Sequence, residues 1–282
     1  MAADRAEQGA SGGAWTSQDV ASGWLSGAAA RGEALAAATE LLLDLAGVAT
    51  GSRVLDVGAG TGDQTLVAAQ RVGPGGSVLA TDPAATMLEL AAEAARAAGF
   101  QNVQIRVMDA QHLELEADSF DAVIARLSLQ FVPDLQRALS EVRRVLKTGG
   151  KLAGMTWSAT ENNPYRAIPQ VIASRLAGRP FPESGPGQWG LRDSGALAEA
   201  FRTAGFREVD VRAVPITWRF PSLDDALKNA EASQPPLTRL LGMLSERDRE
   251  AAWAEIREAL QPYVGPGGFE APGEALIASG MA

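Results

Sequence analysis

The stretch that decides the fold is Val54-Leu55-Asp56-Val57-Gly58-Ala59-Gly60-Thr61-Gly62. Its first four residues predict a short buried strand, and the glycines predict a tight loop that leads into a helix over residues 63–72. Glycines lack a Cβ, so a ligand can approach the backbone closely. The N–H groups at the start of the helix are expected to point toward that ligand. The unit therefore predicts a ligand site at the end of the strand.

The acidic residues around this loop narrow the kind of ligand. Asp82 ends the next predicted strand, over residues 77–82, at about the distance where a Rossmann-type unit places a carboxylate on a ribose diol. A dinucleotide fingerprint has the pattern G-x-G-x-x-G. Here the third glycine, Gly62, comes one residue early, and Asp63 stands where that fingerprint needs glycine. The negative charge of Asp63 disfavours a pyrophosphate at this position.

Composition excludes several classes of function. The chain has 282 residues, of which 46% are hydrophobic, enough for one α/β domain with an inserted subdomain, with two domains left open. It has no cysteine, which excludes disulfides, a thiol nucleophile and thiolate metal sites. Its net charge of −9 disfavours nucleic acid as a partner. Without a long apolar run or an apolar signal segment, we expect a cytoplasmic protein that does not bind membranes.

Strands and helices alternate regularly up to residue 157, which predicts a parallel sheet with right-handed crossovers. Asp82 is expected to cap the helix that follows it, with Pro83 in the first helical turn. Beyond residue 157 the pattern predicts a short helix over 168–176, a helix over 194–204, a β run over 209–220 and a last strand over 268–279. Two or three helices are expected within 223–262.

These elements predict an α/β fold: a Rossmann-like, seven-stranded, mostly parallel sheet with helices on both faces and a helical cap insert. We expect residues 1–33 to form an N-terminal cap segment and residues 34–157 to form a cofactor-binding core. Residues 158–282 are expected to complete the sheet, with the cap insert at about 223–262.

Three segments resemble motifs of the class I S-adenosylmethionine-dependent methyltransferases. The pattern D-x-G-x-G-x-G over residues 56–62 resembles motif I of that class. The segment FDAVIARLSLQFVPD, residues 120–134, resembles motif IV, and VLKTGGKL, residues 145–152, resembles the turn before the fifth strand. The chain is most similar to the type 11 or ubiquinone–menaquinone methyltransferase-like group. The cofactor of that class carries a sulfonium cation and no pyrophosphate, so an acidic loop suits it.

The resemblance implies roles for individual residues. It implies that Asp56 and the 58–62 loop hold the methionine end of S-adenosylmethionine and that Asp82 binds the ribose hydroxyls. It also implies that Asp109 lies beside the adenine amino group and Arg126 beside the sulfonium. The full set that it implies is Asp56, Gly58, Ala59, Gly60, Gly62, Asp82, Pro83, Met87, Met108, Asp109, Ala110 and Arg126. In simpler alternatives, Asp82 only caps a helix, Asp109 only ends a strand and Arg126 is a surface charge.

The acceptor site is less well defined by the sequence. The residues expected to line it are Trp15, Trp24, Ser128, Gln130 and Trp157, although each tryptophan could instead pack a helix onto the sheet. No residue is assigned as the catalyst; weak candidates are His112, Gln130 and Tyr165. Gln130 stands where many relatives have histidine, and glutamine cannot act as a base at neutral pH.

The resulting hypothesis is methyl transfer to a small-molecule acceptor, with oxygen of an aromatic or polyketide-like metabolite as the methylated atom. C-methylation of a quinone-like ring, and a fold relative that binds the cofactor without transferring methyl, are the alternatives. No metal is expected, because Arg126 stands where metal-dependent catechol-type enzymes have aspartate. The chain is expected to be a monomer or a homodimer.

Overall fold

The fold comes from a computed structural model, which describes residues 17–181 and 186–282. Trp15, predicted in the acceptor pocket, lies outside the described residues. The helices are numbered along the described part of the chain. They are α1 (Gln18–Ser26), α2 (Ala28–Leu45), α3 (Asp63–Val72), α4 (Ala85–Ala97), α5 (Leu135–Val145), α6 (Pro164–Leu176), α7 (Ser194–Thr203), α8 (Leu223–Ser233), α9 (Pro235–Gly242) and α10 (Glu246–Leu260).

One mixed sheet organises the described chain. Its strands are β1 (Arg53–Val57), β2 (Ser77–Asp82), β3 (Val103–Val107), β4 (Phe120–Arg126), β5 (Leu146–Trp157), β6 (Arg207–Phe220), β7 (Val264–Gly265) and β8 (Gly268–Met281). The order is β3-β2-β1-β4-β5-β8-β6, and the two-residue β7 pairs with β8. The first five strands in this order are parallel to their neighbours, whereas β8 is antiparallel to β5 and β6. This confirms the predicted Rossmann-like, mostly parallel sheet, to which β7 adds one short strand.

The sheet buries both of its faces, and the side chains of each inner strand alternate between two cores. Val54 of β1 and Ile124 of β4 belong to the core that contains α2 and α3. Leu55 and Val123, one residue away in each strand, belong to the core that contains α5 and α7. Successive side chains in a strand point to opposite faces, so near-continuous apolar strands require helices on both sides.

The strand order indicates where along the sheet a ligand is expected to bind. The sequence runs outward from β1 through β2 to β3 and then returns to β4 on the other side of β1. In open parallel sheets, ligands bind at such a reversal, outside the carboxyl ends of the strands. The glycine loop after β1 lies at this point.

Four of the helices beyond β5, α6, α8, α9 and α10, pack together with the N-terminal helix on one side of the sheet. The predicted insert at 223–262 contains three helices, α8, α9 and α10, of which α9 and α10 pack against α6, while α8 packs against α1. Helix α6 is longer than predicted and begins at Pro164, because the first turn of a helix tolerates proline.

Several boundaries can be compared with the sequence predictions. Helix α3 and strand β2 have the predicted ranges. Helix α2 begins at Ala28 and therefore crosses the proposed boundary at residue 33; the division into segments stays a prediction. The prediction that Asp82 caps α4, with Pro83 in its first turn, is wrong, because α4 begins at Ala85 and its N-cap is Ala84. Among the described helices, none has both the length and the apolar character needed to cross a bilayer.

Candidate active site

A cavity of about 320 Å³ lies at the carboxyl edge of the sheet. Its walls are the loop after β1, the end of β2, residues 108–111, residues 126–128 and residues 131–133, with Trp24 of α1 at one side. Ten of the twelve residues predicted to bind the cofactor line it: Gly58, Ala59, Gly60, Asp82, Pro83, Met87, Met108, Asp109, Ala110 and Arg126. The volume falls within the usual range of small-molecule sites.

The glycine loop is fastened to β2 by its own N–H groups. The N–H groups of Gly58 and Ala59 both donate to the carbonyl of Thr81, at 2.8 and 2.9 Å. The N–H of Gly60 donates to Oδ2 of Asp82 at 3.0 Å. These three N–H groups are therefore not available to a ligand, and the loop allows it a close approach to the backbone. That the N–H groups at the start of α3 point toward a ligand stays a prediction.

Close approach of the loop to the end of β4 depends on glycine at position 58. Gly58 has a φ of +70°, and a Cβ added there would lie 2.3 Å from the Cβ of Ser128. The Ser128 hydroxyl donates to the carbonyl of Val57 at 2.7 Å, which holds the two segments together. An alanine at position 58 would combine backbone strain with a steric clash.

Asp82 is anchored and still has capacity to accept hydrogen bonds. Its Oδ1 accepts from the N–H of Ala84 at 2.9 Å, and its Oδ2 accepts from Gly60. Burial raises the pKa of Asp82, and these two backbone hydrogen bonds oppose that rise. Each carboxylate oxygen has a second lone pair, so the group can accept from two further hydroxyl donors. The site therefore fits the diol of a ribose.

The side chain of Asp56, which was predicted to hold the cofactor, does not line the cavity. It is fully buried, and its two oxygens accept from the Thr65 hydroxyl at 2.6 Å and from the Gln64 amide at 3.0 Å. Asp56 therefore reaches the cavity only through Gln64, whose side chain does line it. Gly62 is also absent from the wall; a Cβ there would lie 2.9 Å from the Cβ of Ala91, so this glycine lets the end of the loop approach α4 closely.

Asp56 gives the fold a pH dependence. Burial raises the pKa of Asp56 to about 6, against the opposing hydrogen bonds from Thr65 and Gln64. Because the folded pKa exceeds the unfolded value, the stability it contributes is fully present below the unfolded pKa and is lost as the pH rises through the folded one. We expect the stability of the wild type relative to Asp56→Asn to fall by about 2 kcal/mol from about pH 4.5 to about pH 7. Urea unfolding at both pH values measures this difference, and equal differences would contradict the assignment.

An ion-pair network closes one side of the cavity. Oδ2 of Asp63 lies 2.7 Å from Nη2 of Arg31 and 3.1 Å from Nη2 of Arg126, and both arginines are buried. Burial alone would raise the pKa of Asp63, but the charges of Arg31 and Arg126 outweigh it and hold that pKa below its ordinary value. The Arg31 guanidinium also stacks on the Trp24 ring, with 3.9 Å to the centroid. Arg126 is therefore a buried partner of Asp63, not a surface charge.

Arg31 is a site residue that was not predicted from the sequence. The available signal was a single cation within the alanine-rich start of α2, on the helix face that also carries the buried residues Leu35 and Ala38. A cation on an apolar face predicts a buried acidic partner, but its identity as Asp63 depends on the packing of α2 against α3.

Two of the catalytic candidates do not face the cavity. Tyr165 is fully buried in an aromatic cluster, and its hydroxyl lies 2.9 Å from Oδ1 of Asn229. Burial raises the pKa of Tyr165 well above its ordinary value, which makes it unsuited to proton transfer. His112 lies outside the cavity wall with 69% of its side chain exposed.

Only some of the residues predicted in the acceptor pocket line the cavity. Trp24 and Ser128 line the cavity, but Gln130 and Trp157 do not. Trp157 is buried and packs against Trp218, with ring centroids 6.1 Å apart. Gln130 is buried in the turn after β4, and neither polar atom of its side chain has a hydrogen-bond partner. In the parts of the chain that the structure describes, no group of three or more acidic, histidine or cysteine side chains could hold a metal ion.

Comparison with known proteins agrees with this geometry. Residues 55–154 match the family model of a methyltransferase domain. The nocamycin O-methyltransferase of Saccharothrix syringae is 34% identical over 224 residues, which cover 76% of this chain and 79% of that protein. A demethylmenaquinone methyltransferase of Listeria welshimeri is 33% identical over 173 residues, or 57% of this chain and 73% of that protein. The solved YcgJ protein of Bacillus subtilis aligns with a TM-score of 0.56 at 20% identity, covering 86% of this chain and 97% of that one.

The protein is a nucleoside-binding α/β enzyme of the Rossmann-like type. The features that define this class are the glycine loop, the carboxylate at the end of β2 and the strand order. Taken with these relatives, the chain belongs to the S-adenosylmethionine-dependent methyltransferases. Its cofactor is S-adenosylmethionine.

Proposed function

We propose that the protein methylates an oxygen atom of a small aromatic or polyketide-like acceptor. The observation that carries this proposal is the similarity to nocamycin O-methyltransferase, which extends over three quarters or more of both chains. The similarity therefore includes residues beyond the cofactor-binding core. Similarity beyond the core is needed to infer the acceptor, because residues 55–154 alone match only the general methyltransferase domain.

The same proposal assigns the cofactor-binding residues. Asp82 binds the ribose hydroxyls, and the loop that starts at Gly58 lies along the methionine end. Asp109 lies beside the adenine, where Met108 and Ala110 flank the ring. Support comes from their shared cavity and from the unused acceptor capacity of Asp82. The carboxylate of Asp109 already accepts from the Gln111 side chain at 2.9 Å, so it is held in place beside the cavity.

The cavity wall is suited to positioning a reactive acceptor. When bound, S-adenosylmethionine supplies a methyl group on a positive sulfur that is transferred by in-line displacement. The residues lining the described cavity include no histidine, lysine, tyrosine or cysteine, and Asp63 is engaged by two arginines. The chain therefore aligns the acceptor and excludes water, and it favours a phenol or enol that ionises without a strong base.

C-methylation of a quinone-like ring is the second candidate. The observation in its favour is the identity to demethylmenaquinone methyltransferase, although that match covers a smaller part of this chain. Both reactions use the same cofactor site and differ in the acceptor atom that is aligned with the methyl group.

Product analysis separates the candidates. The protein is incubated with S-adenosylmethionine carrying a ¹³C-labelled methyl group and a panel of phenols, enolised β-dicarbonyls and naphthoquinols. Formation of S-adenosylhomocysteine reports turnover, and the ¹³C NMR shift distinguishes O-methyl from C-methyl products. We expect O-methylated phenols or enols. C-methylated naphthoquinol alone would favour the second candidate, and tight cofactor binding without turnover on any acceptor would favour a protein that does not transfer methyl.

A further inference from the structure

Arg166 of α6 is a buried cation whose charge no carboxylate of the described residues balances. It is only 4% exposed, and its guanidinium stacks over the rings of Trp157 and Trp218, at 4.8 and 5.7 Å from their centroids. Within residues 17–181 and 186–282, no acidic side chain forms an ion pair with it. Burial lowers the pKa of Arg166 to about 10, so it remains charged at neutral pH. Buried charges are normally paired, because an unpaired one is costly.

The glutamines around Arg166 have a fixed orientation. The indole N–H of Trp189 can only donate, and it donates to Oε1 of Gln170 at 3.1 Å. The amide nitrogen of Gln170 must then donate, and it does so to Oε1 of Gln188 at 3.1 Å. The same Gln188 oxygen also accepts from Nη2 of Arg166 at 3.3 Å. The amide nitrogen of Gln188 is thus directed away from these partners.

Arg166, Gln188 and Trp218 each have a buried donor without an acceptor among the described residues: Nε, Nε2 and Nε1 respectively. Nε2 of Gln234, whose Oε1 accepts from Gln170 at 3.2 Å, is a fourth such donor. All are N–H groups, and one belongs to a cation. A buried donor without a partner costs free energy. A group that supplies only acceptor oxygens, such as a carboxylate or an enolate, would satisfy the donors and balance the charge of Arg166.

The cluster lies at the same edge of the sheet as the cofactor cavity, although none of its four side chains, Trp157, Arg166, Gln188 and Trp218, lines that cavity. Trp157 ends β5 at the same sheet edge at which Arg126 ends β4, because the two strands are parallel neighbours. The segment that carries Gln188 is joined to this edge by a hydrogen bond from the N–H of Gly187 to the carbonyl of Gln130, at 2.7 Å. The residue after Gln130, Phe131, lines the cavity.

We propose that Arg166, Gln188 and Trp218 form an anion subsite that binds a carboxylate or enolate oxygen of the methyl acceptor. This inference rests on the proposed function and narrows its substrate class to acidic acceptors. Trp157 and Trp218 supply flat apolar surface beside the charge, which suits an acid attached to an aromatic or conjugated system.

Equilibrium binding tests the subsite without requiring turnover. The probes are 1-hydroxy-2-naphthoate and its amide, titrated by calorimetry into protein saturated with S-adenosylhomocysteine. We expect the wild type to bind the acid at least ~10-fold more tightly than the amide, because charge-assisted hydrogen bonds are about twice as strong as neutral ones. Arg166→Met should reduce this preference to about twofold or less, and Arg166→Lys should retain part of it. The affinity for S-adenosylhomocysteine should be unchanged in both variants.

Trp218→Phe is the second variant, because it removes one donor and keeps most of the ring. We expect it to lower the affinity for the acid while the protein stays folded, so the test stands even where Arg166 variants unfold. Equal or no binding of the acid by the wild type, or an unchanged preference in folded Arg166→Met, would overturn the proposal. A retained acid preference without methyl transfer to any acceptor would instead overturn the proposed function and leave the subsite standing.

Discussion

Asp82→Ala is expected to weaken binding of S-adenosylhomocysteine by about 100-fold or more. The carboxylate is proposed to accept both ribose hydroxyls, and each hydrogen bond to a charged group contributes about 1.5–3 kcal/mol. The substitution also removes the acceptor for the N–H of Gly60, which fastens the glycine loop to β2. Both losses act on the same ligand, and calorimetry on the purified variant measures their sum.

Asp210→Ala is the matched control for this change. Asp210 is an aspartate on β6 that pairs with Arg212 at 2.8 Å, and its side chain is half exposed. We expect that variant to bind S-adenosylhomocysteine as the wild type does. If Asp82→Ala bound it within about threefold of the wild type, the ribose assignment would be refuted.

Asp63→Ala is expected to lower the free energy of unfolding by about 3–5 kcal/mol, because it leaves two buried guanidiniums without their shared carboxylate. The side chains of Arg31 and Arg126 are 3% and 6% exposed. Since the pKa of Asp63 is depressed, its stabilisation is fully present above the ordinary carboxyl pKa and is lost as the pH falls through the depressed value. Urea unfolding of the protein without cofactor at neutral pH measures the loss.

A surface ion pair provides the comparison. Asp44 pairs with Arg71 at 2.5 Å, with 64% of the Asp44 side chain exposed. Asp44→Ala should cost less than about 1 kcal/mol, because water solvates and screens both charges. A loss in Asp63→Ala no larger than that in Asp44→Ala would show that the buried network does not hold this side of the cavity.

The sequence predicted the core of this fold well because its signals are local. Each local element depends on residues within one turn or one strand; this holds for the glycine loop, for the apolar strands and for the helix that ends before Gly73. For this reason α3 and β2 have the predicted ranges. Most of the cavity wall follows from the same unit, since parallel strands bring their carboxyl ends to one edge.

The errors arise where function depends on distant packing. Tyr165 was named as a weak catalytic candidate, but α6 carries it into an aromatic core with Phe220 and Phe269. Asp56 was expected to hold the cofactor because it precedes the glycines, yet Thr65, in the first turn of α3, donates to its carboxylate.

The donor cluster could not be predicted from the sequence for the same reason. Its members come from α6, the 186–190 segment and β6, which are far apart in the chain. No local pattern brings Arg166 to Trp218, and only the antiparallel return of β8 between β5 and β6 places Trp157 near them.

The most direct test of the account is a crystal structure of the wild type with S-adenosylhomocysteine. We predict electron density for the nucleoside in the cavity beside the glycine loop, with both ribose hydroxyls on the carboxylate of Asp82 and the adenine next to Asp109. Density for the nucleoside at any other place, or a ribose that does not contact Asp82, would contradict it.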